Sequence, residues 1–195
     1  MAAQAERLRA LIAATPWLMT ALAAVRDLAL PEAAIAAGAI RNLLWDDLHG
    51  FAHPAPQGDI DVICFDPTAS LADDARWQAL LQERLPHWHW EVVNQALVHH
   101  WYRDDTGQPP PANCSLAAGM ARWPETATAV AARLDAQGNI ALIAPFGLDD
   151  LFSLTLRRNP ACASRQAFAQ RVRDKQWLQR WPQLRLLDAD PLAPA

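Results

Sequence analysis

Two aspartates separated by one residue, Asp59 and Asp61, give this sequence its clearest chemical feature. They open the segment DIDVICFD, whose alternating apolar and β-branched residues predict a strand. Side chains at positions i and i+2 of a strand point to the same face, so the two carboxylates lie side by side. Like charges that close repel each other, and a cation between them relieves the repulsion. Because magnesium prefers oxygen ligands, often one or two carboxylates plus substrate phosphates, the pair predicts a magnesium site.

Glu91 is the candidate for a third carboxylate. It lies in a second predicted strand, residues 88–95, after a predicted helix over 71–85. If the two strands pair, Glu91 reaches the same metal, where we expect it to bind on the acceptor side and help deprotonate an acceptor hydroxyl. Two metal ions would stabilise the entering and the leaving oxygen of a phosphoryl-type displacement. Gln95 shares the face of Glu91 and is a candidate contact for a base or sugar; a structural amide is the alternative.

A glycine upstream favours a phosphate-bearing ligand. Residues 34–38 predict a short strand that ends at Gly38, and apolar residues at helical spacing then predict a helix ending at Gly50. The free N–H groups at such a helix start bind phosphate, and Arg41 in the first turn adds a bidentate contact. The alternatives are a tight turn for Gly38, an exposed helix position for Arg41 and solvated strand-end acids for the aspartate pair.

The remaining segments predict the elements that position these residues. Two N-terminal helices are expected, separated by Thr15 as a cap and Pro16 in the first turn, and Ser70 is expected to cap the helix over 71–85. The other predicted elements are a helical segment at 96–103, a hairpin of 129–134 with 140–145, a helical turn at 148–152, an amphipathic helix over 164–181 and a loose tail at 188–195.

Two pairs of charged residues are each compatible with two roles. Asp149 and Asp150 are compatible with a stabilised helix N-terminus or with an additional metal or substrate contact. Arg171 and Lys175 are four residues apart on one helix face, which suits either phosphate contact or, as we expect, simple solvation of the helix.

Composition limits the class of protein. The 195 residues are 52% hydrophobic and 19% charged, which predicts one globular domain over 1–187 with a helical part at 1–30. The net charge of −4 disfavours nucleic-acid binding through a broad basic surface. Three cysteines without a CxxC pair indicate neither a zinc site nor a disulfide framework and favour the cytoplasm. Charges interrupt the apolar N-terminus, so neither a membrane span nor a signal peptide is expected.

A series of segments in a fixed order carries a family resemblance. They are IAAGAIRNLLWDDLHG, DIDVICFD, HWEVVNQALVHH, WPETATAV, APFGLDDLF, RNP and RVRDKQWLQRWP. Together they resemble a family of bacterial nucleotidyltransferase-like proteins within the polymerase-β superfamily, similar to the head domain of CCA-adding enzymes, over roughly residues 10 to 185. The resemblance implies an α/β (α+β) fold in which helices flank a mixed β-sheet.

The resemblance also implies an activity. Members of the superfamily transfer a nucleoside monophosphate from a triphosphate to a hydroxyl and release pyrophosphate. Asp59 and Asp61 match the acids of its strand motif and Glu91 its third acid. The glycine motif usually continues with glycine or a small hydroxyl residue, where this sequence has Ala39; Arg41 and Asn42 are candidates to compensate.

The acceptor is not identified by sequence. We expect a small molecule or a protein rather than RNA, since the chain has no second domain large enough to bind a transfer RNA. The alternatives are a catalytically inactive nucleotide-binding module of the same fold and a plain interaction protein whose acids are surface residues.

Overall fold

A computed structural model describes residues 2–104 and 106–187. The elements follow one another along the chain in this order: α1 (Ala2–Ala13), α2 (Pro16–Asp27), β1 (Ala34–Ala36), α3 (Gly38–His49), β2 (Ile60–Cys64), α4 (Leu71–Arg84), β3 (Trp90–Asn94), α5 (Val98–Trp101), α6 (Leu116–Met120), a 3₁₀ turn (Thr126–Thr128), β4 (Ala131–Leu134), β5 (Ile140–Ile143), α7 (Asp149–Phe152), β6 (Thr155–Arg157), α8 (Arg165–Asp174), α9 (Trp177–Arg180) and β7 (Arg185–Leu187). The expected tail at 188–195 lies outside the described residues.

Five strands form one mixed sheet in the order β3-β2-β1-β4-β5. β2 and β3 run parallel, whereas β1 is antiparallel to both β2 and β4, and β4 to β5. A parallel pair needs a crossover connection, and α4 supplies it between β2 and β3. Helices flank this sheet, which confirms the predicted fold class. The parallel pair β6-β7 forms a second, two-stranded sheet that was not predicted.

The two faces of the five-stranded sheet differ in what covers them. Ile60, Val62 and Cys64 of β2 belong to the large core built with α1 to α4. Ile63 points to the other face, where it packs with Leu116 and other small or apolar residues. The predicted alternation of β2 is therefore confirmed, and Asp61 lies on the sparsely covered face.

The predicted N-terminal caps of α2 and α4 have different outcomes. Pro16 begins α2 as expected, but the Thr15 side chain does not cap the helix, because its Oγ1 donates a hydrogen bond back to the Leu11 carbonyl at 2.8 Å. At α4, the Ser70 N–H donates to Asp73 Oδ2 at 2.8 Å, one half of a capping box.

The predicted helix over 164–181 is two helices. α8 ends at Asp174, and Gln176 adopts a left-handed conformation with φ 51° before α9 begins. The turn lets Trp177 and Trp181 both pack on Trp45, with ring centroids 6.4 and 5.1 Å away. Left-handed backbone costs roughly 1–2 kcal/mol at a residue other than glycine, which the burial of two indole rings offsets.

Within residues 2–104 and 106–187, no single helix has the length and apolar character of a membrane span. By length and composition alone, α1 and α2 would meet that test together as a pair bent by 93°.

Candidate functional site

The parallel register of β2 and β3 brings two of the predicted acids together. Asp61 is the direct partner of Glu91 in this pairing, so both side chains leave the sheet on the same face. Asp59 precedes β2 by one residue and, like Glu91, is exposed. Asp61 is more enclosed than either of them.

Asp61 has an unusual electrostatic environment. Burial raises the pKa of its carboxyl group from 3.8 to about 6, and the negative charge of Glu91 adds to the increase. A hydrogen bond from the Gly38 backbone N–H and the charge of Arg41 lower this pKa, and Asp59 raises it by a smaller amount. A cation beside Asp61 would relieve both the repulsion and the desolvation.

The three acids are close enough to influence one another electrostatically but do not converge on one point. Among residues 2–104 and 106–187, no three His, Cys, Asp or Glu side chains are grouped so that they would hold a metal ion. The donor chemistry still suits Mg²⁺, which takes one or two carboxylates and completes its shell with water and substrate oxygens. Asp61 and Glu91, paired in register, supply two such carboxylates.

Gly38 begins α3 beside Asp61. A Cβ added to Gly38 would lie 3.7 Å from Asn42 Nδ2, 3.8 Å from Asp61 Oδ2 and 3.9 Å from Arg41 Nη2. The four residues thus surround a small space that a methyl group would fill. Gly38 has no positive φ and is the first residue of α3, so its backbone conformation does not require glycine.

The sharp turn before α3 is made by Ala37 instead. Ala37 has φ 49° and ψ −118°, a conformation that strongly favours glycine. Its carbonyl oxygen accepts the N–H of Arg41 at 2.8 Å and so closes the first turn of the helix. The sequence pattern gave no indication of this strained residue.

Arg41 is buried, with 6% of its surface exposed, so its interpretation as an exposed helix residue is wrong. Its Nε and Nη2 donate to Asn42 Oδ1 at 3.2 and 2.9 Å, and its Nη1 donates to Thr128 Oγ1 at 2.9 Å. The guanidinium carbon also lies 5.1 Å from the ring centroid of Trp45 and 4.7 Å from that of Trp177. Burial lowers the pKa of Arg41 to about 10, and it remains a cation at neutral pH.

Gln95 lies just beyond β3, where its N–H donates to the Cys64 carbonyl at 2.9 Å. Its backbone carbonyl accepts Asn113 Nδ2 at 2.7 Å, and Asn113 Oδ1 is buried without a hydrogen-bond partner. Both amide side chains crowd Gly119, since an added Cβ there would lie 3.0 Å from Asn113 Nδ2 and from Gln95 Oε1. Neither Asn113 nor Gly119 was predicted.

One groove of about 1200 Å³ contains all of the predicted site residues. Its lining includes Gly38, Arg41, Asn42, Asp59, Asp61, Glu91 and Gln95. The structure therefore brings together residues that span 57 positions of the sequence, from 38 to 95.

The C-terminal helices add groove residues, and for one of them, Arg171, the expected role of solvating the helix was wrong. Arg171, expected to solvate its helix, donates from Nε to Glu125 Oε1 at 2.7 Å, and its guanidinium carbon lies 5.6 Å from the Trp177 ring centroid. Glu125 is fully buried. Arg171, Lys175, Trp177 and Arg180 all line the groove. The four-residue spacing of Arg171 and Lys175 was the only indication in the sequence.

For one of the two acids in α7, Asp150, the structure decides between the alternative interpretations. Asp150 accepts Arg157 Nε at 2.8 Å and Thr126 Oγ1 at 2.6 Å, and these partners hold its pKa below the usual range. Asp150 is therefore a structural residue that ties α7 to β6. Asp149 is exposed and does not line the groove.

Comparison with known proteins identifies the family. A model of a nucleotidyltransferase family matches residues 23–186, a segment that contains every groove residue described above. The chain belongs to this nucleotidyltransferase family. The resemblance noted in the sequence is thereby confirmed.

Solved structures support the same fold for this family member. An NMR structure that reveals a CCA-adding enzyme head domain is 28% identical, with a TM-score of 0.82, and the match covers 94% of this chain and 96% of that chain. A CCA-adding enzyme in complex with CTP is 16% identical, with a TM-score of 0.53 over 88% of this chain. The Thermotoga maritima CCA-adding enzyme complexed with tRNA is 14% identical, with a TM-score of 0.51 over 88% of this chain.

The two larger enzymes are similar in fold alone. The chain spans 40% and 38% of their length, respectively. A comparison with proteins of curated function finds no match.

Proposed function

We propose that this protein is a magnesium-dependent nucleotidyltransferase that transfers a nucleoside monophosphate from a nucleoside triphosphate to a hydroxyl group. The observation that carries the proposal is the direct pairing of Asp61 with Glu91 in a groove that also holds the Gly38 helix start. The family membership gives the reaction class. Two CCA-adding enzymes that contain a similar fold are solved in complex with CTP and with tRNA, respectively.

Asp59, Asp61 and Glu91 would hold Mg²⁺, with two ions expected in the loaded site. The bound ions supply charge neutralisation for the phosphates and for the entering and leaving oxygens. Asp59 and Glu91 are exposed, and exposed side chains change rotamer on the picosecond-to-nanosecond timescale. Asp61 is the most enclosed of the three acids, so the ions would be recruited to Asp61.

The groove residues have distinct proposed roles in the reaction. The acceptor oxygen forms a bond to the α-phosphorus, the bond from that phosphorus to the bridging oxygen of the β-phosphate breaks, and pyrophosphate leaves. Glu91 takes the proton of the acceptor hydroxyl. Gly38 and Asn42 leave room for the triphosphate at the start of α3, and the cation of Arg41 offsets the negative charge of the phosphates. Gln95, beyond the carboxyl end of β3, contacts a base or sugar.

The acceptor is proposed to be a small molecule or a protein. The segments that follow β3 place Trp101 and Tyr102 in the groove wall with 50% and 40% of their surface exposed. Among the described groove-lining residues of these segments, only Asp104 and Arg122 are charged, and their charges have opposite signs. A polyanionic RNA acceptor would be expected to meet a basic surplus here. The flat, exposed aromatic rings would stack on a planar group of the acceptor.

The test is turnover of radiolabelled nucleoside triphosphates with Mg²⁺ and a panel of hydroxyl-bearing small molecules, proteins and transfer RNA. Pyrophosphate release that depends on both Mg²⁺ and one acceptor class is expected. Asp61→Asn should abolish it, and Asp149→Asn, an exposed acid outside the groove, should leave it unchanged. Equal turnover by Asp61→Asn and the wild type would refute the assignment.

A second candidate is a nucleotide-binding module without catalysis. It is favoured by the absence, among the described residues, of a group of three acids that would hold a metal ion. Tight binding of a triphosphate in calorimetry, with no Mg²⁺-dependent release of pyrophosphate for any acceptor, would select this candidate.

We also propose that residues 1–187 work as one domain in the cytoplasm. Leu8 of α1 belongs to the same core as Val172 of α8, so the N-terminal and C-terminal helices share their packing. The cysteines are all free, as a reducing compartment would require. Cooperative unfolding followed by fluorescence and circular dichroism with coincident transitions would support one domain.

A further inference from the structure

We propose that the C-terminal helices α8 and α9 complete a binding site for the phosphate chain of the nucleotide, in which Lys175 and Arg171 bind phosphate oxygens together with Gly38 and Arg41. This inference rests on the proposed function and deepens it. It names the part of the substrate that α8 recognises, a phosphoanhydride chain.

A chain of close contacts links the start of α3 to α8. Arg41 Nη2 lies 3.9 Å from the position of a Cβ on Gly38. The guanidinium carbon of Arg41 is 4.7 Å from the Trp177 ring centroid, and that of Arg171 is 5.6 Å from the same centroid. Two guanidinium groups therefore contact one buried indole ring, which stabilises each through its π face.

The charges along this wall do not balance. Two buried carboxylates each hold one arginine: Glu125 pairs with Arg171 at 2.7 Å and Asp46 with Arg180 at 3.0 Å. Within the described part of the chain, Arg41 has no carboxylate at ion-pair distance. Burial lowers its pKa most, the charges of Glu125 and Asp61 raise it, and those of Arg171 and Arg180 lower it.

A buried cation whose charge is only partly compensated is costly, and a bound anion lowers that cost. Arg41 also keeps donors for such an anion. A guanidinium has five N–H groups, and the hydrogen bonds to Asn42 and Thr128 use three of them.

Lys175 adds a further cation at the end of α8. It lies four residues after Arg171, on the same face, and its exposed side chain lines the groove. Arg173, between them, points elsewhere: its Nη2 donates to Gln170 Oε1 at 2.6 Å, and it does not line the groove. Only one face of α8 thus presents charge to the groove.

The wall is held in place before any ligand binds. Glu125 is fully buried and fixes Arg171, and Trp181 Nε1 donates to the buried Asp46 at 2.8 Å. A binding site whose side chains are already ordered loses less entropy on binding. Because these cations line the same groove as a helix start whose N–H groups also favour anions, a linear phosphate chain suits this part of the groove.

The probe is inorganic tripolyphosphate, which has the phosphate chain without a base. Its binding would be measured by titration calorimetry on the wild type, Lys175→Gln and the matched control Arg173→Gln, which removes one arginine charge from the same helix. Removal of one charge-assisted contact is expected to weaken binding about tenfold or more. Arg173→Gln should change it less than about twofold, because that residue adds only to the long-range field.

The outcomes separate this inference from the proposed function. Wild-type binding of tripolyphosphate by Lys175→Gln, or equal weakening by both variants, would overturn it. Both substitutions are at exposed positions, so a preserved melting temperature establishes that the variants fold. If tripolyphosphate binding follows the prediction but no acceptor supports pyrophosphate release, the phosphate site stands and the transferase activity does not.

Discussion

The ionised carboxylate of Asp61 should lower the free energy of unfolding of the metal-free protein at neutral pH. The pKa of its carboxyl group is raised from 3.8 to about 6, first by burial and then by Glu91. The folded state therefore binds this proton more tightly than the unfolded state, so the free energy of unfolding falls as pH rises from about 4 to about 6. Two pH units correspond to about 3 kcal/mol. Since Asp61 retains some solvent access, we expect about 2 kcal/mol.

The substitution Asp61→Asn removes this charge and keeps an acceptor for the Gly38 N–H. The variant should be about as stable as the wild type below pH 4 and about 2 kcal/mol more stable above pH 6. Acids such as Asp27 and Asp150, whose pKa values are lowered, have the opposite pH dependence. They are common to both proteins, so the difference between the two curves isolates Asp61.

The assay is urea unfolding followed by tryptophan fluorescence, at a series of pH values, with a chelator present. Mg²⁺ in place of the chelator should stabilise the wild type and leave Asp61→Asn unchanged. Asp149→Asn, an exposed acid outside the groove, is the control and should follow the wild type. The reasoning fails if Asp61→Asn is no more stable than the wild type at neutral pH, or if the difference is independent of pH.

Three substitutions test the backbone of the groove. Ala37→Gly should raise the melting temperature by about 2–4 °C, the equivalent of about 1 kcal/mol, because glycine adopts φ 49° without strain; an unchanged or lower value would contradict this. Gly38→Ala should leave the melting temperature nearly unchanged, because the added methyl makes only ordinary contacts, and should weaken tripolyphosphate binding in calorimetry by filling the space beside Asp61; undiminished binding would show that no phosphate enters there. Gly119→Ala should displace the side chains of Gln95 and Asn113, which a Cβ would approach to 3.0 Å; an NMR spectrum with unshifted side-chain amides would refute this.

The parts of the site that are local in sequence could be predicted. A period of two in DIDVICFD is enough to place Asp61 on the opposite face to Val62, and the structure confirms that alternation. Glycine, helical spacing and a terminal Gly50 likewise define α3, which runs from Gly38 to His49. These patterns reflect backbone geometry, which a short segment determines largely by itself.

The parts of the site that depend on contacts between distant residues could not be predicted from the sequence. Arg41 resembles any charged residue in the first turn of a helix, and its burial depends on Trp177, which lies 136 positions later. Arg171 resembles a surface charge because its partner Glu125 is 46 positions away. The break at Gln176 is likewise set by the packing of indole rings on Trp45 rather than by a glycine or proline. In each case tertiary packing overrides the local preference.

The net charge was a poor guide to the groove for the same reason. Of the acidic residues that make the total −4, some serve exposed turns outside the groove: Asp66 and Asp135 each accept a backbone N–H two residues ahead, and neither lines the groove. Such carboxylates lie in water and are screened from a site more than a Debye length away. The cations of Arg41 and Lys175 line a groove, where the low-dielectric wall focuses their field on the ligand. A protein that is acidic overall can thus present a basic wall to a phosphate chain, and the distribution of charge along the groove determines which ligand it favours.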